Sequence, residues 1–138
     1  MNTLLFLTSL AVGAFAQNAR IGLPQAAASI KAGSKLTVQV QRPNSLTGSQ
    51  EVGVAIGLQS CANSPCHAAK DVMGQILYNG PYKPVYHEYY LPPYENFTVT
   101  VPDSVESGEA VLGVTHVSLV GAGPFPFLEV LNQTIQVA

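Results

Sequence analysis

Residues 35–41 constrain the fold more than any other stretch. Leu36, Val38 and Val40 alternate with Lys35, Thr37, Gln39 and Gln41. A period of two gives a strand one buried face and one wet face. Arg42-Pro43-Asn44 ends the run, and residues 45–49 are rich in turn formers. The same period returns along the chain. Ile21 and Leu23 make a short strand closed by Pro24, and Val52, Val54, Ile56 and Leu58 make an apolar face. Residues 73–78 read as a further short strand, and Phe97, Val99 and Val101 alternate with Asn96, Thr98 and Thr100. Residues 110–120 are apolar on both faces, which predicts a central strand. After a Gly/Pro connection at 121–126, Leu131, Ile135 and Val137 form the buried face of the last strand, with Asn132, Thr134 and Gln136 outward. No segment carries a convincing helical period, an internal repeat or a second core. About seven strands separated by turn signals predict an all-β fold, an antiparallel two-sheet sandwich of immunoglobulin-like type. The inter-sheet cysteine pair and core tryptophan of antibody domains are absent, so the likeness is one of architecture.

One strand face asks for a cover. Gly53, Ala55 and Gly57 lie opposite Val54, Ile56 and Leu58 and offer almost no side chain. Strand glycines mark close approach by another group, and aromatic rings shielding them are a known device. The rings at hand are the tyrosines. All six lie within residues 78–94, and Tyr78, Tyr82, Tyr86, Tyr90 and Tyr94 recur at every fourth position. Gly80, Pro81, Pro84, Pro92 and Pro93 forbid a continuous helix here. The rings therefore either pack on the domain, with the glycine face as the place to lie, or form a rigid aromatic surface for a partner. The outer tyrosines, Tyr78 and Tyr94, read as packing. Tyr82, Tyr86, His87, Tyr89 and Tyr90 are the candidate partner surface.

Composition bears on location and ligand class. An apolar run at 4–15 followed by Ala14-Phe15-Ala16 predicts a secretory signal at 1–16, although the segment before the run has no basic side chain. The remainder, 17–138, is expected to be a single secreted domain, a monomer without membrane insertion. A net charge of −2 with 10% charged residues argues against nucleic acid and anionic lipid. Cys61 and Cys66 are the two cysteines, and on an oxidising export route they are expected to form a disulfide. Such a small loop limits its contribution to about 2 kcal/mol. Asn96-Phe97-Thr98 and Asn132-Gln133-Thr134 are N-glycosylation acceptors on the outward faces of their strands.

Catalysis has little support. There is no Gly-x-Ser-x-Gly elbow, and His67, His87 and His116 lie on three separate elements. His116 reads as a satisfied core or edge residue. His87-Glu88 has no evident acid–base partner. Glu88 and Glu95 have the residue type of a glycosidase pair, but nothing else supports that chemistry. The expectation is a non-enzyme with no metal or cofactor.

Longer runs carry a resemblance. Arg20-Ile21-Gly22-Leu23-Pro24, the segment from Leu36 through Ser45, and the segment from Glu51 through Cys61 resemble the necrosis-inducing secreted protein family of fungal effectors. So do Ser64-Pro65-Cys66, Leu77-Tyr78-Asn79-Gly80, Tyr86-His87-Glu88, Pro92 through Pro102, and Gly121-Ala122-Gly123-Pro124 with Leu128-Glu129. Residues 68–75 and 88–91 resemble it least. The resemblance implies a secreted, non-enzymatic effector that suppresses plant pattern-triggered immunity by binding receptor-associated kinases and induces cell death in some hosts. A cytoplasmic kinase target implies uptake into the host cell. The competing class is a carbohydrate-binding or structural module of the cell wall, since aromatic platforms stack on sugars.

Overall fold

The computed structural model describes residues 18–44 and 48–138. The expected signal at 1–16, its cleavage point before Gln17, and residues 45–47 of the expected turn lie outside the described residues. The described residues form eight strands and no helix. They are β1 (Arg20–Leu23), β2 (Ser29–Ile30), β3 (Lys35–Gln41), β4 (Ser49–Ser60), β5 (Gln75–Gly80), β6 (Tyr94–Thr100), β7 (Gly108–Val120) and β8 (Phe125–Val137). A three-stranded sheet has the order β1-β3-β6, and a five-stranded sheet has the order β2-β8-β7-β4-β5. All pairings are antiparallel except β2 with β8.

Inward residues of both sheets build one core. Val38, Val40, Phe97 and Val99 of the smaller sheet join Val54, Ile56, Leu112, Val114, Leu131 and Ile135 of the larger. The all-apolar reading of β7 is explained by its place as the middle strand of five. It is covered on both faces along much of its length.

Four expectations need correction. First, β2 was not anticipated. It is two residues long and lies in a small-residue run, so its pairing depends on the free edge of β8 rather than on a pattern of its own. Second, Gln39 and Gln41 are buried, not wet. β1 lies alongside them: Arg20 Nε donates to Gln41 Oε1 at 2.6 Å, and Gln41 Nε2 donates to Gln39 Oε1 at 2.6 Å. The missing side chain of Gly22 leaves the room these amides occupy. Third, Val52 is 56% exposed. A bulge between Glu51 and Gly53 breaks the alternation, so a carboxylate rather than a valine enters the interior at that level. Fourth, β8 starts at Phe125, which shortens the expected 121–126 connection.

The glycine face is covered only at its Gly57 end, and not by tyrosines. The segment between Cys61 and β5 folds back across the outer face of the larger sheet. A side chain at Gly57 would collide with the Met73 carbonyl, and one at Gly113, its cross-strand partner, would meet Met73 Sδ at 3.0 Å and Ala69 Cβ at 3.2 Å. The Gln59 side chain clamps this excursion, donating to the carbonyls of His67 and Val72 at 3.1 Å and accepting from the His67 amide at 2.7 Å. Gly53 and Ala55 remain in an open groove of about 380 Å³ with Asn79, Gly80, Thr115 and Val117.

Candidate partner surface

The segment between β5 and β6 is built on two buried tyrosines. Tyr82 is 3% exposed, and its hydroxyl donates to the Val40 carbonyl at 2.9 Å. Its ring packs 6.2 Å from Phe97. Burial pushes the Tyr82 phenol well above its ordinary range, and Glu51 adds to the shift. Tyr82, expected on the partner surface, is therefore a core residue. Extended chain after Pro81 turns it onto the interior, whereas a fixed spacing of four carries no face information across irregular backbone.

Tyr94 is the second anchor. Buried at the start of β6, it donates to both carboxylate oxygens of Glu88, at 3.0 and 2.9 Å, and the His87 ring stacks on it at 4.1 Å and 16°. Desolvation, followed by the Glu88 hydrogen bond, raises the Tyr94 phenol. An isolated bridge between Val85 and Tyr94 closes the neck of the loop through the pairs Val85 N to Tyr94 O at 3.2 Å and Tyr94 N to Val85 O at 3.0 Å. Lys83 N donates to Glu95 Oε1 at 2.8 Å, and Arg42 N to Pro93 O at 2.7 Å. The loop is thus braced at its neck and through Glu88 despite its irregular backbone.

What it presents outward is aromatic. Tyr86, Tyr89 and Tyr90 are exposed, Tyr89 at 99%, and Val85 is exposed beside them. Tyr89 and Tyr90 meet edge to face with centroids 5.4 Å apart. The Tyr86 hydroxyl accepts from Asn44 Nδ2, which ties the loop to the end of β3. His87 is exposed at its outer edge. Tyr78 is half-buried and packs on Phe97 at 4.6 Å. The structure therefore leaves Tyr86, His87, Tyr89 and Tyr90 exposed on one loop, with Tyr89 and Tyr90 in contact, and buries Tyr82.

Beneath Tyr82 lies a charge cluster that sequence reading did not find. His116 is fully buried in β7. Its Nδ1 lies 2.9 Å from Glu129 Oε1, and its Nε2 contacts Glu51 Oε2. Arg42 Nε pairs with Glu51 Oε1 at 2.6 Å, and the Asn18 amide donates to Glu129 Oε2 at 3.1 Å. Burial opposes a charged His116, but the hydrogen bonds to Glu129 and Glu51 outweigh it and push its pKa up to about 9. Two cations and two carboxylates then balance. A histidine in a strand otherwise this apolar was the available signal, because a buried imidazole needs partners. Glu51 was concealed by the bulge.

The remaining sites are peripheral to the loop. Cys61 and Cys66 form a disulfide at the end of β4. Asn96 and Asn132 are exposed, on β6 and β8.

Comparison with known proteins gives a consistent result. The chain is 28% identical over 138 residues to Necrosis-inducing secreted protein 1 of Colletotrichum orbiculare, an alignment that covers 96% of this chain and 80% of that protein. The family model described as the Nis1 family matches residues 15–136, which takes in β1 through β7 and all of β8 but Val137. The chain belongs to the Nis1 family.

Proposed function

We propose that this protein is a secreted necrosis-inducing effector that suppresses plant pattern-triggered immunity by binding receptor-associated kinases through the loop between β5 and β6. Family membership supports the effector class, and the relative's own name describes a secreted, necrosis-inducing protein. The observation that carries the binding reading is the braced loop. It holds Tyr86, Tyr89 and Tyr90 in solvent between two buried anchors, which lowers the cost of ordering the loop backbone when a partner arrives. Rigid aromatic rings are the commonest hot spots of protein interfaces.

The protein acts by binding rather than by catalysis. In support, the His116 imidazole, the one histidine with the partners of an acid–base site, is fully buried under Tyr82. It is a monomer, secreted and glycosylated at Asn96 and Asn132, and it reaches a kinase target by uptake into the host cytoplasm. The finer fold is immunoglobulin-like. Strand order supports this, since β1-β3-β6 and β8-β7-β4-β5 reproduce the two sheets of that topology, with β2 as an added parallel strand.

The wall-module reading is weaker on one geometric point. The Tyr89 and Tyr90 rings stand at 87° to each other, so they do not form the flat platform that a sugar chain stacks on. Affinity purification from plant tissue expressing the mature chain, beside a Tyr86/Tyr89/Tyr90→Ala variant, tests the proposal. Kinase recovery that the triple variant loses is the expected result. Retention on chitin, glucan or cellulose with no kinase recovered overturns it.

A further inference from the structure

The Cys61–Cys66 disulfide closes a turn that other contacts hold as well. On one side, Gln59 holds His67 and Val72 by three hydrogen bonds. Within the turn, Asn63 Nδ2 donates to Glu106 Oε2 at 2.6 Å. On the other side, the Cys61 amide donates to the Glu109 carbonyl at 2.8 Å, which continues the pairing of β4 with β7. Ala69 is buried farther along the excursion, against the Gly113 position. Cleavage of the sulfur–sulfur bond therefore leaves the backbone of the turn held, and side-chain rotation alone moves the two sulfurs apart to the spacing of a chelating pair.

A third group stands beside them. Glu109 Oε1 lies 3.1 Å from Cys66 Sγ, and the two sulfurs and this carboxylate all lie within 4.8 Å of one another. The cysteines are separated by five positions, so four residues intervene, which falls within the spacing of chelating cysteine pairs. Two thiolates and a carboxylate in one place repel each other, and a dication removes that repulsion. Sulfur ligands with one oxygen select a zinc-type ion over magnesium or calcium.

We propose that the reduced protein carries a binding site for a thiophilic divalent cation of the zinc type, with Cys61, Cys66 and Glu109 as ligands and water in the fourth position. Two molecules of a small thiol supply two electrons and two protons and leave as their own disulfide, which converts Cys61 and Cys66 to thiols. The cation then displaces both thiol protons, and two metal–sulfur bonds and one metal–oxygen bond form. In an oxidising medium the disulfide keeps the site closed. Reduction converts a covalent staple into a metal staple across the same turn.

The test uses the full mature chain, reduced with a water-soluble phosphine and titrated with cobalt(II) and then zinc(II). Sulfur-to-cobalt charge-transfer absorption saturating at one equivalent is expected, together with its loss on zinc addition and in Cys66→Ser. Glu109→Gln is expected to weaken cobalt binding about tenfold or more. Circular dichroism of the reduced, metal-free chain should match that of the oxidised chain. Absence of the charge-transfer band, an affinity unchanged in Glu109→Gln, or unfolding on reduction alone would each overturn the proposal.

Discussion

Tyr82 stands edge-on to His116, with ring centroids 5.4 Å apart and planes at 87°. One residue comes from an irregular loop and the other from the middle strand of the larger sheet, and their contact roofs the buried charge cluster. The loop and the core are therefore one mechanical unit. Tyr82→Ala removes a buried aromatic and a buried hydrogen bond, and is expected to cost about 3–5 kcal/mol. Tyr82→Phe keeps the ring and is expected to cost about 1 kcal/mol. Tyr89→Ala, at a fully exposed ring, should stay within about 0.5 kcal/mol of the parent. Denaturant unfolding of the three variants checks this order.

Stability should fall as the medium becomes alkaline. His116 has its pKa raised from 6.5 to about 9, so the folded state holds this proton more tightly than the unfolded state does. Its contribution is complete below about pH 6.5, declines between there and pH 9, and is absent above. The groups facing it are Glu51 on β4, Glu129 on β8, Arg42 after β3, and Tyr82 from the loop. The change is on the order of 3 kcal/mol. Melting temperature against pH checks it, and His116→Gln should flatten the slope in that window.

Glu88 separates bracing from contact. Its carboxylate accepts from Tyr94, which is buried, while Tyr86, Tyr89 and Tyr90 make no hydrogen bond to it. Glu88→Ala is expected to cost about 1 kcal/mol of stability. It should also weaken partner binding several-fold with every exposed ring intact, since a loosened loop pays its ordering cost on binding. Calorimetric titration against a recovered partner would show the loss as a less favourable entropy.

Gly57 should be intolerant of any side chain. A Cβ there meets the Met73 carbonyl, which is backbone and cannot rotate away. Gly57→Ala is expected to cost about 1–3 kcal/mol by lifting the excursion from the sheet. Hydrogen exchange at the His67 amide, which Gln59 holds, should rise in parallel. Gly123→Ala, with nothing within 4 Å, serves as the neutral control.

The strands were legible wherever alternation ran unbroken. β3, β6 and β7 stand close to where Leu36, Phe97 and Ala110 indicated, because an apolar face in period two has one way to be buried. The errors came where local pattern does not decide. β2 exists only through the edge of β8, and the Glu51 bulge depends on a charge cluster drawn from four separate segments. Gly53 and Gly57 were rightly read as marking close approach, but the approaching group is main chain, which has no compositional signature. In the loop, the outer tyrosines were read correctly as packing. Tyr82 is buried by Val40, Phe97 and His116, which come from three different strands, and sequence does not display that juxtaposition.

The loop's two anchors give it the logic of an interchangeable cassette. Tyr82 and Tyr94 belong to the core, while Tyr86, Tyr89 and Tyr90 between them contribute nothing to it. Natural variation confined to the intervening positions escapes the penalty that core changes carry. One scaffold can then display many different faces while its fold stays whole.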